Sequence, residues 1–178
     1  MAYKINEVTD FDSLTCVAHA MAVDKGWWEG ERSAVECWVN FHAELSEAWE
    51  EYRCGRMATW YASDAAIVLR SGGVPKPEGF WVEIGDLLIR IADYAGGCRD
   101  IWPVYTPRPG DWISGRDCEN IAIVIYELHN LIADGAFTTL VETVLKVAEF
   151  HKVDLWSIIR EKLRYNATRP HRHGGKRA

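Results

Sequence analysis

An all-α bundle is the fold this sequence predicts, on three observations. Apolar residues recur at three- and four-residue spacing in successive segments, the connections between those segments are short and broken by glycine, and no segment shows the strict alternation of a strand. Short connections favour antiparallel neighbours. With 178 residues, 48% apolar and 26% charged, the chain has enough apolar content to build one real core and is not a disordered sequence.

The first helical segment covers residues 11–25, with Asp12 or Ser13 as cap, and stops at Gly26. Trp27, Trp28 and Gly30 then make a short aromatic loop. A strong helical pattern follows over 33–54, ended by Gly55. Trp38, His42, Leu45, Trp49 and Tyr52 repeat at four-three-four-three and are the expected core face, while Asn40, Glu44, Glu47 and Glu51 form a second stripe. Residues 57–70 are apolar and read as helical until Ser71-Gly72-Gly73 breaks the pattern; Pro75-Lys76-Pro77 is a stiff approach to the next helix. That helix covers 78–95, with Phe80, Ile84, Leu87, Leu88 and Ile91 inside and Glu83, Asp86, Arg90 and Asp93 on the other stripe, and Gly96-Gly97 ends it. The stretch 98–115, rich in proline, glycine and aromatics, is an ordered surface loop. Two more helices fall at 117–133 and 137–151, split by Asp134-Gly135, and a last one at 154–166. The expected organisation is one domain over 1–166 and a basic tail over 167–178, with no solenoid repeat and no strand.

A net charge of −6 argues against broad nucleic-acid binding. The charge is also uneven. Seven glutamates lie between Glu29 and Glu51, whereas from Arg160 onward there are seven Lys/Arg and one acid, Glu161. Acid early and base late suggest a cation site and an anion site in one molecule. Five cysteines, without C-x-x-C spacing, indicate neither a disulfide framework nor a zinc ribbon; free thiols point to a reducing, cytoplasmic setting. The first residues carry no apolar leader, and no apolar run reaches membrane-span length, so no membrane partner is expected.

Two acidic pairs carry the chemistry: Glu44 with Glu47, and Glu83 with Asp86. Residues three apart share a helix face, about 5–6 Å from each other. Two such helices face to face bring four carboxylates together. At an effective dielectric near 20, each like-charge contact at about 5 Å costs on the order of 3 kcal/mol without a counter-ion. Oxygen-only ligation favours Mg²⁺, with Mn²⁺ as substitute, over zinc. Asp93, on the same stripe as Asp86, is either a further ligand or a partner of Arg90. A di-iron bundle requires E-x-x-H on two helices, and no Glu here has His three residues later. The chain has no His-Asp dipeptide, which excludes a His-Asp phosphohydrolase. Trp27 and Trp28 offer faces for a nucleobase or fill the core, and His42 reads as an interior histidine. His171 and His173 belong to the basic tail, and Cys16 with His19 lacks a second half-site for zinc.

The segments Glu44-Leu-Ser-Glu47, Glu83-Ile-Gly-Asp86 and Lys162-x-x-x-Asn166-x-x-Arg169-Pro170 occur in that order. This series resembles the MazG-like branch of the all-α nucleoside triphosphate pyrophosphatases, the superfamily that includes dimeric dUTPases. It covers about half the chain. The resemblance implies an all-α bundle of that type and Mg²⁺ held by Glu44, Glu47, Glu83 and Asp86. It also implies water attack on the α-phosphorus of a nucleoside triphosphate, releasing pyrophosphate. It gives Glu47 the role of orienting or deprotonating that water, Lys162 and Asn166 that of phosphate contacts, and a homodimer or homotetramer as the working form. Arg169 and the tail would close over the triphosphate. Two features depart from the pattern: Ala43 stands where many members have another Glu, and an extra helical segment is inserted after Gly97. A helical binding or regulatory protein that kept the bundle and lost catalysis is the competing expectation.

Overall fold

The computed structural model describes residues 3–30, 32–62, 68, 73–98 and 117–175. Six helices dominate it: α1 (Phe11–Asp24), α2 (Ala34–Arg53), α3 (Phe80–Gly97), α4 (Ile121–Ala133), α5 (Phe137–Phe150) and α6 (Leu155–Thr168). The mainly helical class read from periodicity is therefore what the chain adopts. Four of the six starts are set by side-chain caps. Asp10 accepts the Ser13 amide while the Ser13 hydroxyl accepts the Asp10 amide, and Ser33, Asn120 and Asp154 cap α2, α4 and α6.

Strands do occur. Trp60–Ala62 (β1) and Lys76–Glu78 (β2) pair antiparallel, with Tyr61 opposite Pro77. The expected helix over 57–70 begins instead with this strand; residues 63–67 and 69–72 lie outside the described residues, as do 99–116, where the inserted segment is expected. Prolines at 75 and 77 hold the backbone extended, and a two-stranded ribbon has only edges, where a residue without an N–H is tolerated. Period-two reading failed here because the ribbon is three residues long. Gly79 then turns the chain into α3 at φ 123, and a Cβ there would lie 2.5 Å from the Ala58 carbonyl oxygen.

α3 is the central helix. It packs against α1, α2 and α6, and twelve of its residues are buried. On α2 the core face is Cys37, Phe41, Leu45 and Ala48, together with Glu44. The expected stripe is rotated by about one residue: Leu45 is buried, Trp38, His42 and Trp49 are half-buried, and Tyr52 is exposed. The reason is that α2 packs on two sides, against α3 and α4, so its apolar arc is wide and its bulkiest aromatics sit at the edges. Phe41, Tyr94 and Phe137 meet edge to face at the centre, with ring centres 5.6–6.0 Å apart. Gly96 and Gly97 form the last residues of α3, which ends there as expected, and the tip of Trp28 packs where a Gly97 side chain would stand. No described helix is long and apolar enough to cross a membrane.

The last described residues are tied to the fold. After Pro170 the chain makes a helical turn, Arg172–Gly175, fastened to the loop after α1. The Arg172 amide donates to the Lys25 carbonyl, and its guanidinium to the Gly26 and Glu29 carbonyls.

Candidate metal and anion site

Packing α2 against α3 turns the two acidic pairs toward each other. Carboxylate oxygens of Glu44, Glu83 and Asp86 all lie within 4.8 Å of one another. Glu44 and Glu83 are 3% and 2% exposed, far below what an ordinary surface glutamate shows. Glu47 is exposed one turn further along α2 and lines the adjoining cavity without joining this cluster.

Three cations face the acids. Arg90 Nε donates to Glu44 Oε1; Lys76 Nζ pairs with Glu78 Oε1 at 2.6 Å; and Lys162 Nζ stands 2.9 Å from Asp86 Oδ2 and 3.7 Å from Glu83 Oε1. Lys162 is fully buried and also donates to the Pro77 carbonyl at 3.3 Å. The residue expected as a phosphate contact is thus placed beneath the carboxylates as their counter-ion. Burial alone would lower its pKa, but Asp86 and Glu83 outweigh burial and raise it, so it stays charged.

Glu83 is the exception in this network. Neither of its oxygens has a hydrogen-bond donor, and it lies against the Glu78 carboxyl. Burial pushes its pKa up to about 9, with Asp86 and Glu78 adding to the rise and Lys162 opposing it. Burial likewise lifts Glu44 to about 7, against the pull of Arg90 and with Asp86 and Glu47 adding to it. Asp86 goes the other way: burial opposes its charge, but Lys162 and Arg90 prevail and hold it below the ordinary range. With a proton on Glu83, three carboxylates (Glu44, Glu78, Asp86) balance three cations. Without it, the site holds an uncompensated buried charge, which costs several kcal/mol. Three converging carboxylates, one of them without a donor to either oxygen, and an all-oxygen donor set fit a hard divalent cation.

Two cavities open beside the cluster. One, of about 190 Å³, is lined by Asn40, Glu44, Glu47, Lys76, Asp86 and Arg90; the other, of about 80 Å³, has an apolar floor of Ala18, Met21, Ala22 and Ile89. Trp27, Arg32, Asp86, Arg90, Arg169 and His173 border both. Arg169, where α6 ends, is half-buried over the Tyr165 ring; among the described residues it makes no close ion pair, although Asp86 and Glu44 are near enough to act on its charge. Asn166 lines the apolar cavity; its Nδ2 reaches Asp86 Oδ1 at 3.5 Å, and its buried Oδ1 has no donor. A partly desolvated guanidinium that is not held in a close ion pair is a ready anion contact.

The tryptophans separate. Trp27 lines both cavities and meets His173 edge to face at 5.0 Å. Trp28 turns away: its Nε1 donates to Asp93 Oδ1 at 2.7 Å, and Arg32 lies over its ring. Asp93 is therefore neither in the carboxylate cluster nor paired with Arg90. His42 lies edge to edge with His129, with Nδ1 atoms 2.7 Å apart.

Sequence reading missed Lys76, Glu78 and Arg32. The first two sit on a ribbon too short for a periodic signal, and Arg32 lies in a loop whose course no spacing rule fixes. No protein family, no curated protein and no solved structure matches this chain.

Proposed function

We propose that this chain is a Mg²⁺-dependent nucleotide pyrophosphohydrolase, splitting a nucleoside or deoxynucleoside triphosphate into the monophosphate and pyrophosphate. The observation that carries the reading is Glu83: a buried carboxyl with no donor to either oxygen, in reach of two more carboxylates. Glu44, Glu83 and Asp86 would hold the cation, with Glu47 at the cavity edge. Bound there, Mg²⁺ supplies charge neutralisation of the phosphates and acidification of a water.

The other roles follow from position. Arg169 and Asn166 stand where phosphate oxygens would need a cation and a polar partner. Trp27 offers an aromatic face beside an apolar floor suited to a base. Glu47, exposed toward the cavity, is placed to orient or deprotonate the attacking water, whose oxygen joins the α-phosphorus as pyrophosphate leaves. Self-association belongs to the same proposal: α2 and α4, packed together, expose Val35, Val39, Ile123 and Tyr126, a patch that a second copy would cover.

A second reading has its own observation. Lys162 and Arg90 already neutralise Asp86 and Glu44, as in a polar core that binds no metal. Release of pyrophosphate from a panel of ribo- and deoxynucleoside triphosphates with Mg²⁺ decides between them. The enzyme reading expects release from at least one, and its loss in Glu47→Gln without loss of fold. No release from any of them favours the binding or regulatory protein.

A further inference from the structure

Asp93 is a buried acid that the metal cluster does not use. It sits on α3 two turns beyond Asp86, 7% exposed, and its two oxygens take three donors from a single stretch of chain on the far side. Oδ1 accepts Trp28 Nε1 at 2.7 Å and faces His19 Nδ1 at 3.1 Å, and Oδ2 accepts Arg32 Nη1 at 2.6 Å. Two of the three donors come from the loop between α1 and α2, and the third from α1 itself. The Trp28 and Arg32 contacts pull that loop onto α3, and the His19 contact ties α1 to it.

The donors are locked among themselves as well. The Arg32 guanidinium lies 5.0 Å from the centre of the Trp28 ring, His19 meets that ring edge-on at 5.0 Å, and Gly97 leaves room for its tip. Trp28 is therefore fixed in position, ring plane and depth. Its neighbour Trp27 stands at the border of both cavities, with Arg32 beside it, and Asp93 itself lines the one with the apolar floor. Adjacent bulky residues in a loop cannot both face one cavity, and the carboxylate of Asp93 selects which one turns inward.

We infer that Asp93 is a positioning residue. By holding Trp28 and Arg32 it presents the Trp27 face and the Arg32 cation to a nucleotide, and it is not a metal ligand. This rests on the nucleotide reading above. A carboxylate already accepting from an arginine and an indole is a saturated anchor, and an aromatic anchor held rigid before binding loses little entropy when a base arrives.

The test measures two affinities on the full chain. Mn²⁺ alone is titrated by electron paramagnetic resonance. Nucleotide affinity is measured with α,β-methylene analogues of the ribo- and deoxynucleoside triphosphates, using whichever binds wild type most tightly. In Asp93→Asn, Mn²⁺ binding stays within about twofold of wild type, while the analogue binds roughly tenfold more weakly, as expected for a misplaced charged contact. Trp28→Phe keeps an aromatic ring and the Arg32–Asp93 pair but loses the indole hydrogen bond and the ring tip at Gly97, so its loss is smaller, about threefold to fivefold, and it decides the matter alone if Asp93→Asn fails to fold. A general structural defect would weaken both ligands together. If Mn²⁺ binding falls in step with the analogue, or if both variants bind the analogue as wild type does, the inference is overturned while the nucleotide reading stands. If wild type binds none of the analogues, the nucleotide reading falls and takes this role with it.

Discussion

Replacing Glu83 by glutamine converts the strained member of the cluster into a neutral group of the same shape. In the folded protein without metal, Glu83 has its pKa pushed up to about 9, from an ordinary value of 4.5. The folded state therefore binds more protons than the unfolded state across that window, and stability falls as pH rises through it. Each pH unit removes about 1.4 kcal/mol, so between pH 5 and pH 8 this one group costs roughly 4 kcal/mol. Glu44 adds a smaller loss that levels off near its value of about 7, while Asp86, held low, has completed its contribution by pH 5. Glu83→Gln deletes the largest of these terms and leaves the others. Urea unfolding in EDTA at pH 5, 6.5 and 8 reads the difference directly: the variant overtakes wild type in relative stability as pH rises, by a gap approaching 4 kcal/mol. Millimolar Mg²⁺ or Mn²⁺ should cancel the wild-type decline, because a cation takes the place of the proton, and should do little for the variant. Parallel pH profiles for the two proteins in EDTA would refute the reasoning, since Glu83 would then ionise in the fold as freely as in the unfolded chain.

Lys162→Met removes the buried counter-ion, so it should cost about 3–5 kcal/mol of stability in EDTA, much of it recovered with Mg²⁺; an unchanged unfolding midpoint would return Lys162 to the role of a phosphate contact. Arg169→Ala should lower kcat/KM by roughly tenfold to a hundredfold with the melting temperature unchanged, given about 1.5–3 kcal/mol for a charge-assisted contact. A chain stopped after Pro170 loses His173 from the cavity wall and the Arg172 clasp, and steady-state kinetics should show KM rising with kcat nearly constant. Light scattering at micromolar concentration should give an oligomer for wild type and a monomer for Val39→Glu with Tyr126→Glu.

Helix content was legible because it rests on periodicity that local geometry enforces. All six helices fall within a few residues of their expected bounds; α6, for one, runs two residues past its expected end at Asn166. The acidic pairs were legible for the same reason: three-residue spacing fixes a shared face whatever the fold. What spacing could not give was the depth at which each residue sits. Glu44 and Glu83 are buried while Glu47 is exposed, because α2 is packed from two sides and its polar stripe straddles the boundary. Lys162 is expected as a phosphate contact only through the family resemblance, which carries no information on depth; here α6 packs on α3, and the chain folds it under the acids. The partners of Asp93 come from α1 and from a loop more than sixty residues away, at separations that no local pattern encodes.

The central claim is the reaction itself, and oxygen-18 water tests it most directly. Purified protein is incubated with Mg²⁺ and each of the ribo- and deoxynucleoside triphosphates in labelled water, and the products are resolved by mass spectrometry. The account predicts monophosphate and pyrophosphate in equal amounts, with one labelled oxygen on the monophosphate, because water attacks the α-phosphorus. Label in the pyrophosphate, diphosphate with inorganic phosphate as products, or no turnover of any nucleotide would contradict it.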